Sequence, residues 1–232
     1  MPRTPLVLLP GLLNTRRVFE HQAEALQDIA EIAIPELWHH ETIAAMAEAV
    51  LEAAPPTFAL GGFSMGGYVA FEVFRRAASR IERLALIDTQ AAPDSPETRT
   101  RRQAFIEQTG LGRFHGVHPT LLPQIIHPSR LKDAAVVQPI LDMAQEIGGE
   151  GFVRQQRAIL GRPDSRPLLV EIEIPTAVIV GRQDLATPLP RAQEMAADIA
   201  TAQLVVVEEC GHVSPLERPA EVTAALRRWL TQ

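Results

Sequence analysis

The chain is short of cysteine and of lysine, and it has no long apolar run. Cys210 is the single cysteine among 232 residues, so neither an internal disulfide nor a thiolate metal cluster can form. Of the 22 basic residues only Lys132 is a lysine; such a skew is what a GC-rich coding sequence produces, and it carries no mechanism. No apolar stretch approaches the roughly 18–20 residues that a membrane span needs. The opening apolar stretch, Leu6 to Leu9, is too short for a signal peptide and is followed by no small-residue cleavage site. Positive charge is not in excess either, and a net charge of −6 argues against a nucleic-acid binder. The expectation is a cytoplasmic protein whose partner is a small-molecule substrate, with neither nucleic acid nor membrane. Nothing in the sequence sets an oligomeric state.

What is present describes a globular enzyme-sized chain. Hydrophobic residues make up 46% and charged residues 22%, which excludes disordered and fibrous classes. The length suits one α/β domain of roughly 200–250 residues, able to bury roughly 70% of its unfolded surface.

Leu6 to Leu9, closed by Pro10-Gly11, reads as a buried strand ending in a turn. Val18, Phe19, Ala23 and Leu26 then follow helical spacing, and Ile29 to Ile34 is a second strand stopped by Pro35. Ile43, Met46, Ala47, Val50 and Leu51 predict an amphipathic helix ended by Pro55-Pro56. Thr57 to Leu60 is a short strand running into Gly61-Gly62, Tyr68 to Phe74 a helix with two apolar sides, and Leu84 to Ile87 the next strand. This alternation predicts a mostly parallel sheet covered by helices on both faces.

The rhythm breaks after Asp88. From about 91 to 166 there is no apolar strand, only helical stretches at Arg99–Gln108, Leu121–Ile126, Ala134–Ile147 and Phe152–Leu160. Alternation resumes with a strand at Ala177–Val180, a helix at Arg191–Ile199, a strand at Leu204–Val207 and a helix at Ala220–Leu230. The reading is one domain, 1–232, with a core of about 1–90 and 167–232 and an inserted helical cap of about 91–166.

The strongest chemical signal is Gly62-Phe63-Ser64-Met65-Gly66-Gly67, between a predicted strand and a predicted helix. It fits G-x-S-x-G, the nucleophile elbow, where a sharp turn exposes the serine and side chains two residues to either side would collide. The helix start also aims unpaired N–H groups at charge developing beside Ser64. A serine hydroxyl needs a base, normally a histidine held by a carboxylate. His212, in Glu209-Cys210-Gly211-His212 after the last strand, lies at the same sheet end. His21, His39, His40, His115, His118 and His127 show no such setting and read as non-catalytic. Asp184, in Gly181-Arg182-Gln183-Asp184, and Asp88, at the end of its strand, compete for the orienting role, since both fall at the carboxyl edge of a parallel sheet.

These residues make the chain resemble the α/β-hydrolase superfamily, in a short form that begins at what is usually the third strand. The resemblance rests on Leu9-Pro10-Gly11-Leu12, Gly62 to Gly67, Gly181 to Asp184, Gly211-His212 and Pro215-Leu216-Glu217-Arg218-Pro219; it does not extend to the cap. It implies an α/β-hydrolase fold and, from the chain order serine, acid, histidine, a triad of Ser64, Asp184 and His212. It further implies an oxyanion hole from the backbone N–H groups of Met65 and Leu12. The superfamily often has His-Gly where this chain has Pro10-Gly11, so a side chain that often buttresses the loop is missing.

A serine at position 64, where some relatives carry a nucleophilic aspartate, implies acyl chemistry. The expected function is a cofactor-independent, metal-free serine hydrolase of a small or medium carboxylic ester, thioester or lactone. The same triad also serves lyases, carbon–carbon bond hydrolases and perhydrolases, and the fold includes non-catalytic ligand binders. Phe105, Phe114 and Phe152 either line an acyl pocket or pin the cap helices together. Arg99, Arg101 and Arg102 read as a solvated helix face, Cys210 as a small residue in a tight loop, and Glu217-Arg218 as an anchor for the last helix.

Overall fold

In the first strand, β1 (Thr4–Leu9), Leu6 and Leu8 enter one apolar layer and Val7 and Leu9 the other, as the two-residue period of a strand dictates. The computed structural model describes residues 3–232. Five further strands, β2 (Ala30–Ala33), β3 (Phe58–Phe63), β4 (Ile81–Ile87), β5 (Thr176–Gly181) and β6 (Ala202–Val207), join it in the order β2-β1-β3-β4-β5-β6. Every neighbouring pair is parallel. All strand ends that carry chemistry therefore emerge at one edge of the sheet.

Helices α1 (Glu20–Ala25), α2 (Ile43–Ala53) and α3 (Met65–Ala77) fall among the first four strands. Beyond β5 come α7 (Leu189–Asp198), the single-turn α8 (Ser214–Glu217) and α9 (Pro219–Thr231). One face of the sheet is covered by α2, α3 and α7, through Val50, Val69, Phe71 and Met195. The other is covered by α9 and the chain around α1, through Leu26, Leu226 and Trp229. Each such buried Leu, Val or Phe contributes roughly 1.5–3 kcal/mol over its exposed state. Local signals set the helix limits: the Thr42 hydroxyl accepts from Ala45 N at 3.1 Å to start α2, and Pro55-Pro56 follows its end.

Between β4 and β5 the regular elements are all helical: α4 (Pro96–Gly110), α5 (Leu122–Ile125) and α6 (Ala134–Leu160), with short 3₁₀ turns. Two details differ from the sequence reading. The helix expected over 121–126 is one turn, α5, preceded by a 3₁₀ turn. And β3 runs on through Gly61 and Gly62 to Phe63, because these glycines sit in register with Leu8 and Leu9 of β1. The two helices expected at 134–147 and 152–160 are both present as the two arms of α6, which meet at Gly148, where φ 69° and ψ −179° break the helical path.

Arg102 is also not on a solvated face. Its guanidinium and that of Arg162 clasp the buried Asp94 carboxylate at 2.7 and 2.9 Å, fastening the start of α4 to the end of α6. No helix among the described residues is long and apolar enough to cross a membrane.

Candidate active site

Ser64 sits between β3 and α3 with φ 52° and ψ −115°, a backbone conformation that costs a non-glycine residue of order 1–3 kcal/mol. Its neighbours hold it there. Ser64 N donates to Ile87 O at 2.9 Å, and the Ser64 carbonyl accepts from Gly67 N at 2.9 Å and from Thr89 Oγ1 at 2.8 Å. The turn leaves no room for a side chain at Gly66, where a Cβ would lie 2.0 Å from Leu9 O. The elbow thus presses directly on the end of β1.

The serine hydroxyl lies 2.9 Å from His212 Nε2, and His212 Nδ1 lies 2.8 Å from Asp184 Oδ2. An ionised carboxylate only accepts, so Nδ1 carries the proton and Nε2 turns its lone pair to the Ser64 hydroxyl. Asp184 is 2% exposed; its Oδ1 accepts from Ala186 N at 2.7 Å and Thr187 N at 2.9 Å, and its Oδ2 from Thr187 Oγ1 at 2.7 Å. Burial pushes the Asp184 carboxyl upward, but His212 and the Thr187 bonds outweigh it and hold the group below its ordinary value. Burial likewise disfavours the imidazolium of His212, yet the facing Asp184 carboxylate raises its affinity for a proton overall. The loops that carry the two residues touch. A Cβ on Gly181 would lie 1.9 Å from Gly211 O.

Asp88, the competing acid, is equally buried and has φ 42°. Its Oδ1 accepts from Gly181 N at 2.9 Å and its Oδ2 from Ser214 N at 3.1 Å. It ties the start of the Asp184 loop to the end of the His212 loop and makes no hydrogen bond to the imidazole. Burial, and next the nearby Asp184 charge, push its carboxyl up to about 8.

The turn after β1 lies on the other side of Ser64, where a Cβ on Gly11 would come 3.1 Å from Ser64 Cβ. Leu12 follows that glycine, and Met65 is the first residue of α3. Among the described residues neither N–H has a protein acceptor, so both are available to an anion. The missing histidine of this loop has replacements that the sequence reading did not find. Asn14 Nδ2 donates to Leu12 O at 2.6 Å, and Gln155 Oε1 of α6 accepts from Leu13 N at 3.0 Å. Gln155 holds Leu13 in a left-handed conformation, φ 58°. Its only sequence signal is a glutamine on the apolar side of a helix.

Phe152 packs against Leu13, Ala144 and Ile147, with Phe114 and Leu12 beside them. Phe105 and Phe114 stand 6.3 and 5.4 Å from the Phe152 ring. The three rings therefore pin the inserted helices to each other and to the Leu12 turn. A cleft of about 540 Å³ near Phe114, Gly149 and Arg154 contains none of Ser64, Asp184 and His212. Four of the other histidines turn their rings to partners outside the triad: His21 to Thr223, His39 to Glu36, His118 to Thr120 and His127 to Ser129. Cys210 is buried, in keeping with its reading as a small loop residue. Among the described residues no group of three or more His, Cys, Asp and Glu comes together to hold a metal ion.

The fold agrees with comparison to known proteins. A profile of the alpha/beta hydrolase family matches residues 6–226. The chain belongs to that family. A pimeloyl-[acyl-carrier protein] methyl ester esterase of Aromatoleum aromaticum is 25% identical, over 95% of this chain and 96% of the relative. Among solved structures, a thermophilic esterase from Thermogutta terrifontis superposes with a TM-score of 0.88 at 30% identity, covering 98% of this chain and 89% of that one. An enol-lactonase from Burkholderia xenovorans gives a TM-score of 0.88 at 26% identity, covering 100% and 93%. The chain is an esterase-like hydrolase of the alpha/beta hydrolase family.

Proposed function

We propose that the protein is a serine hydrolase that cleaves a small or medium carboxylic ester, thioester or lactone through an acyl-enzyme on Ser64. The observation that carries this reading is the pair of hydrogen bonds in series, 2.9 Å from Ser64 to His212 and 2.8 Å from His212 to Asp184. The methyl ester esterase and the enol-lactonase among the similar proteins keep open-chain and cyclic esters both in range.

In this mechanism Ser64 Oγ attacks the acyl carbon while His212 Nε2 takes the hydroxyl proton. Asp184 stabilises the imidazolium, and the N–H groups of Leu12 and Met65 receive the oxyanion, each donor accounting for about 2.7–4 kcal/mol. Collapse of the tetrahedral intermediate breaks the acyl–oxygen bond, and His212 returns the proton to the leaving alcohol. Water then repeats the sequence, with His212 again as base, and releases the acid and Ser64. The helices of about 91–166 act as the cap over this site, with Phe114 and Phe152 as its apolar wall beside Leu12 and Leu13 and Phe105 packed behind Phe152.

The test is kcat/KM for p-nitrophenyl esters of graded acyl length, with mass spectrometry of the quenched enzyme and Ser64→Ala as the blank. An acyl adduct on Ser64 and turnover absent from Ser64→Ala are expected. Turnover that survives in Ser64→Ala, or a folded wild-type protein silent across the panel, would overturn the reading and favour lyase or carbon–carbon bond chemistry.

A further inference from the structure

Consecutive backbone N–H groups around His212 each have a hydrogen-bond acceptor. Cys210 N donates to Gln183 Oε1 at 3.0 Å, His212 N to Ile125 O at 2.8 Å, and Ser214 N to Asp88 Oδ2 at 3.1 Å. The two N–H groups that flank His212 go to one carboxylate. Gly211 N lies 3.1 Å from both Glu217 oxygens, and Val213 N donates to Glu217 Oε1 at 3.1 Å. The same carboxylate accepts from His127 N, of the inserted segment, at 2.7 Å. Arg130 of that segment donates to the Glu217 carbonyl at 2.6 Å.

Glu217 is fully buried, and no cation pairs with its carboxylate among the described residues. A carboxylate removed from water and met only by N–H dipoles is a costly arrangement for anchoring a helix end. Here those dipoles belong to three backbone positions that must keep fixed relative places: the two residues beside the imidazole and one residue of the inserted helices.

We propose that Glu217 is a positioning residue for catalysis: its carboxylate clamps the His212 loop onto the 125–127 segment, so that His212 takes its place opposite Ser64 only while the inserted helices are docked. The proposal rests on the Ser64–His212–Asp184 reading and adds to it a dependence of the base on the cap. His212 N reaching Ile125 O is the second strand of the same clamp. Charged and titratable groups near the clamp are His127 and Arg130 from the inserted segment, Cys210, His212 and Arg218 from its own loop, and Asp88 and Asp184 from the neighbouring strand ends. The Glu217 charge is also one of the causes that favour the imidazolium of His212, after Asp184 and Asp88.

The experiment compares wild type, Glu217→Gln and Glu217→Asp by circular dichroism, steady-state kinetics on p-nitrophenyl acetate over pH, and the rate of Ser64 labelling by a fluorophosphonate. Glu217→Gln keeps the volume but has one acceptor oxygen, so either Val213 N or His127 N loses its partner and the clamp loses one of its two arms; Glu217→Asp keeps the charge at shorter reach. Glu217→Gln is expected to fold, to lose kcat by about 10- to 100-fold, as misplacement of a reacting group does, and to change KM little. Its labelling should slow in parallel and the acid limb of kcat/KM move to lower pH, with Glu217→Asp restoring the acid limb at least in part. Unchanged kcat, labelling and acid limb in folded Glu217→Gln overturn the proposal. So does a loss confined to stability, including failure of both variants to fold. Labelling absent from the wild type would instead defeat the serine-hydrolase reading itself.

Discussion

Asp184 Oδ2 stands 2.8 Å from Nδ1 of His212, and that contact separates two aspartates that are both buried at neighbouring strand ends. Asp88 holds the backbone N–H groups of Gly181 and Ser214 instead. Asp184→Asn should lower kcat by about 10⁴, by analogy with other triads, since an amide reverses the preference for the Nδ1–H tautomer. Asp88→Asn keeps one acceptor and orphans one N–H, at a cost of about 1–3 kcal/mol, and should reduce activity far less. A mild Asp184→Asn beside a severe Asp88→Asn, in side-by-side kinetics, would exchange their roles.

The pH dependence of kcat/KM follows from His212, which must be neutral to accept the Ser64 proton. Its proton affinity is raised, Asp184 outweighing burial, so the acid limb should have its midpoint above the ordinary histidine value and fall back in Asp184→Asn. A titration of kcat/KM on p-nitrophenyl acetate reads both midpoints.

Stability should run the other way with pH. A group whose folded value is raised stabilises the fold fully below its unfolded value and loses that contribution as pH rises through the folded one. Asp88, raised from 3.8 to about 8 chiefly by burial, and His212 both act in this sense. The melting temperature should therefore decline from mildly acidic pH to above about 8, and Asp88→Asn should flatten the decline. A wild-type melting temperature that climbs across that interval would contradict the assignment.

Gln155→Leu removes the acceptor for Leu13 N and should cost about 1–3 kcal/mol for the orphaned N–H. It should also slow turnover, because the left-handed Leu13 turn carries the proposed Leu12 donor. Chemical denaturation gives the first quantity and kcat the second; full activity would show that the loop keeps its shape alone.

Gly181→Ala would drive a Cβ against Gly211 O and separate the loops of Asp184 and His212. A stability loss of at least about 1–3 kcal/mol is expected from such overpacking, together with a fall in kcat. A normal melting temperature would show that the loops can part freely.

The sheet and the elbow are legible in the sequence because their determinants are local. Leu6 to Leu9, Leu84 to Ile87 and Ala177 to Val180 are apolar runs bounded by turn residues, and G-x-S-x-G is contiguous. Parallel strands deliver His212, Asp184 and Asp88 alike to one edge, so that argument alone leaves two candidate acids; only the chain order serine, acid, histidine of the resemblance singles out Asp184. The inserted helices are less legible. The turn α5 has too few residues for a helical period to register, whereas Gly148 does break the helical path between the two arms of α6. Arg102, Gln155 and Glu217 are harder still. Each is a polar side chain whose meaning lies in a partner far along the chain: Gln156 for Arg102, Leu13 for Gln155, His127 for Glu217. No spacing rule announces such a partner.

The lone thiol has a practical consequence. Cys210 is shut inside the His212 loop, and burial keeps it protonated far beyond neutral pH, so alkylating reagents should pass over the native protein. A cysteine introduced at an exposed position of α4, such as Gln103→Cys, would then be the sole reactive handle. A fluorophore placed there can report how the inserted helices move during turnover, with every other residue left native.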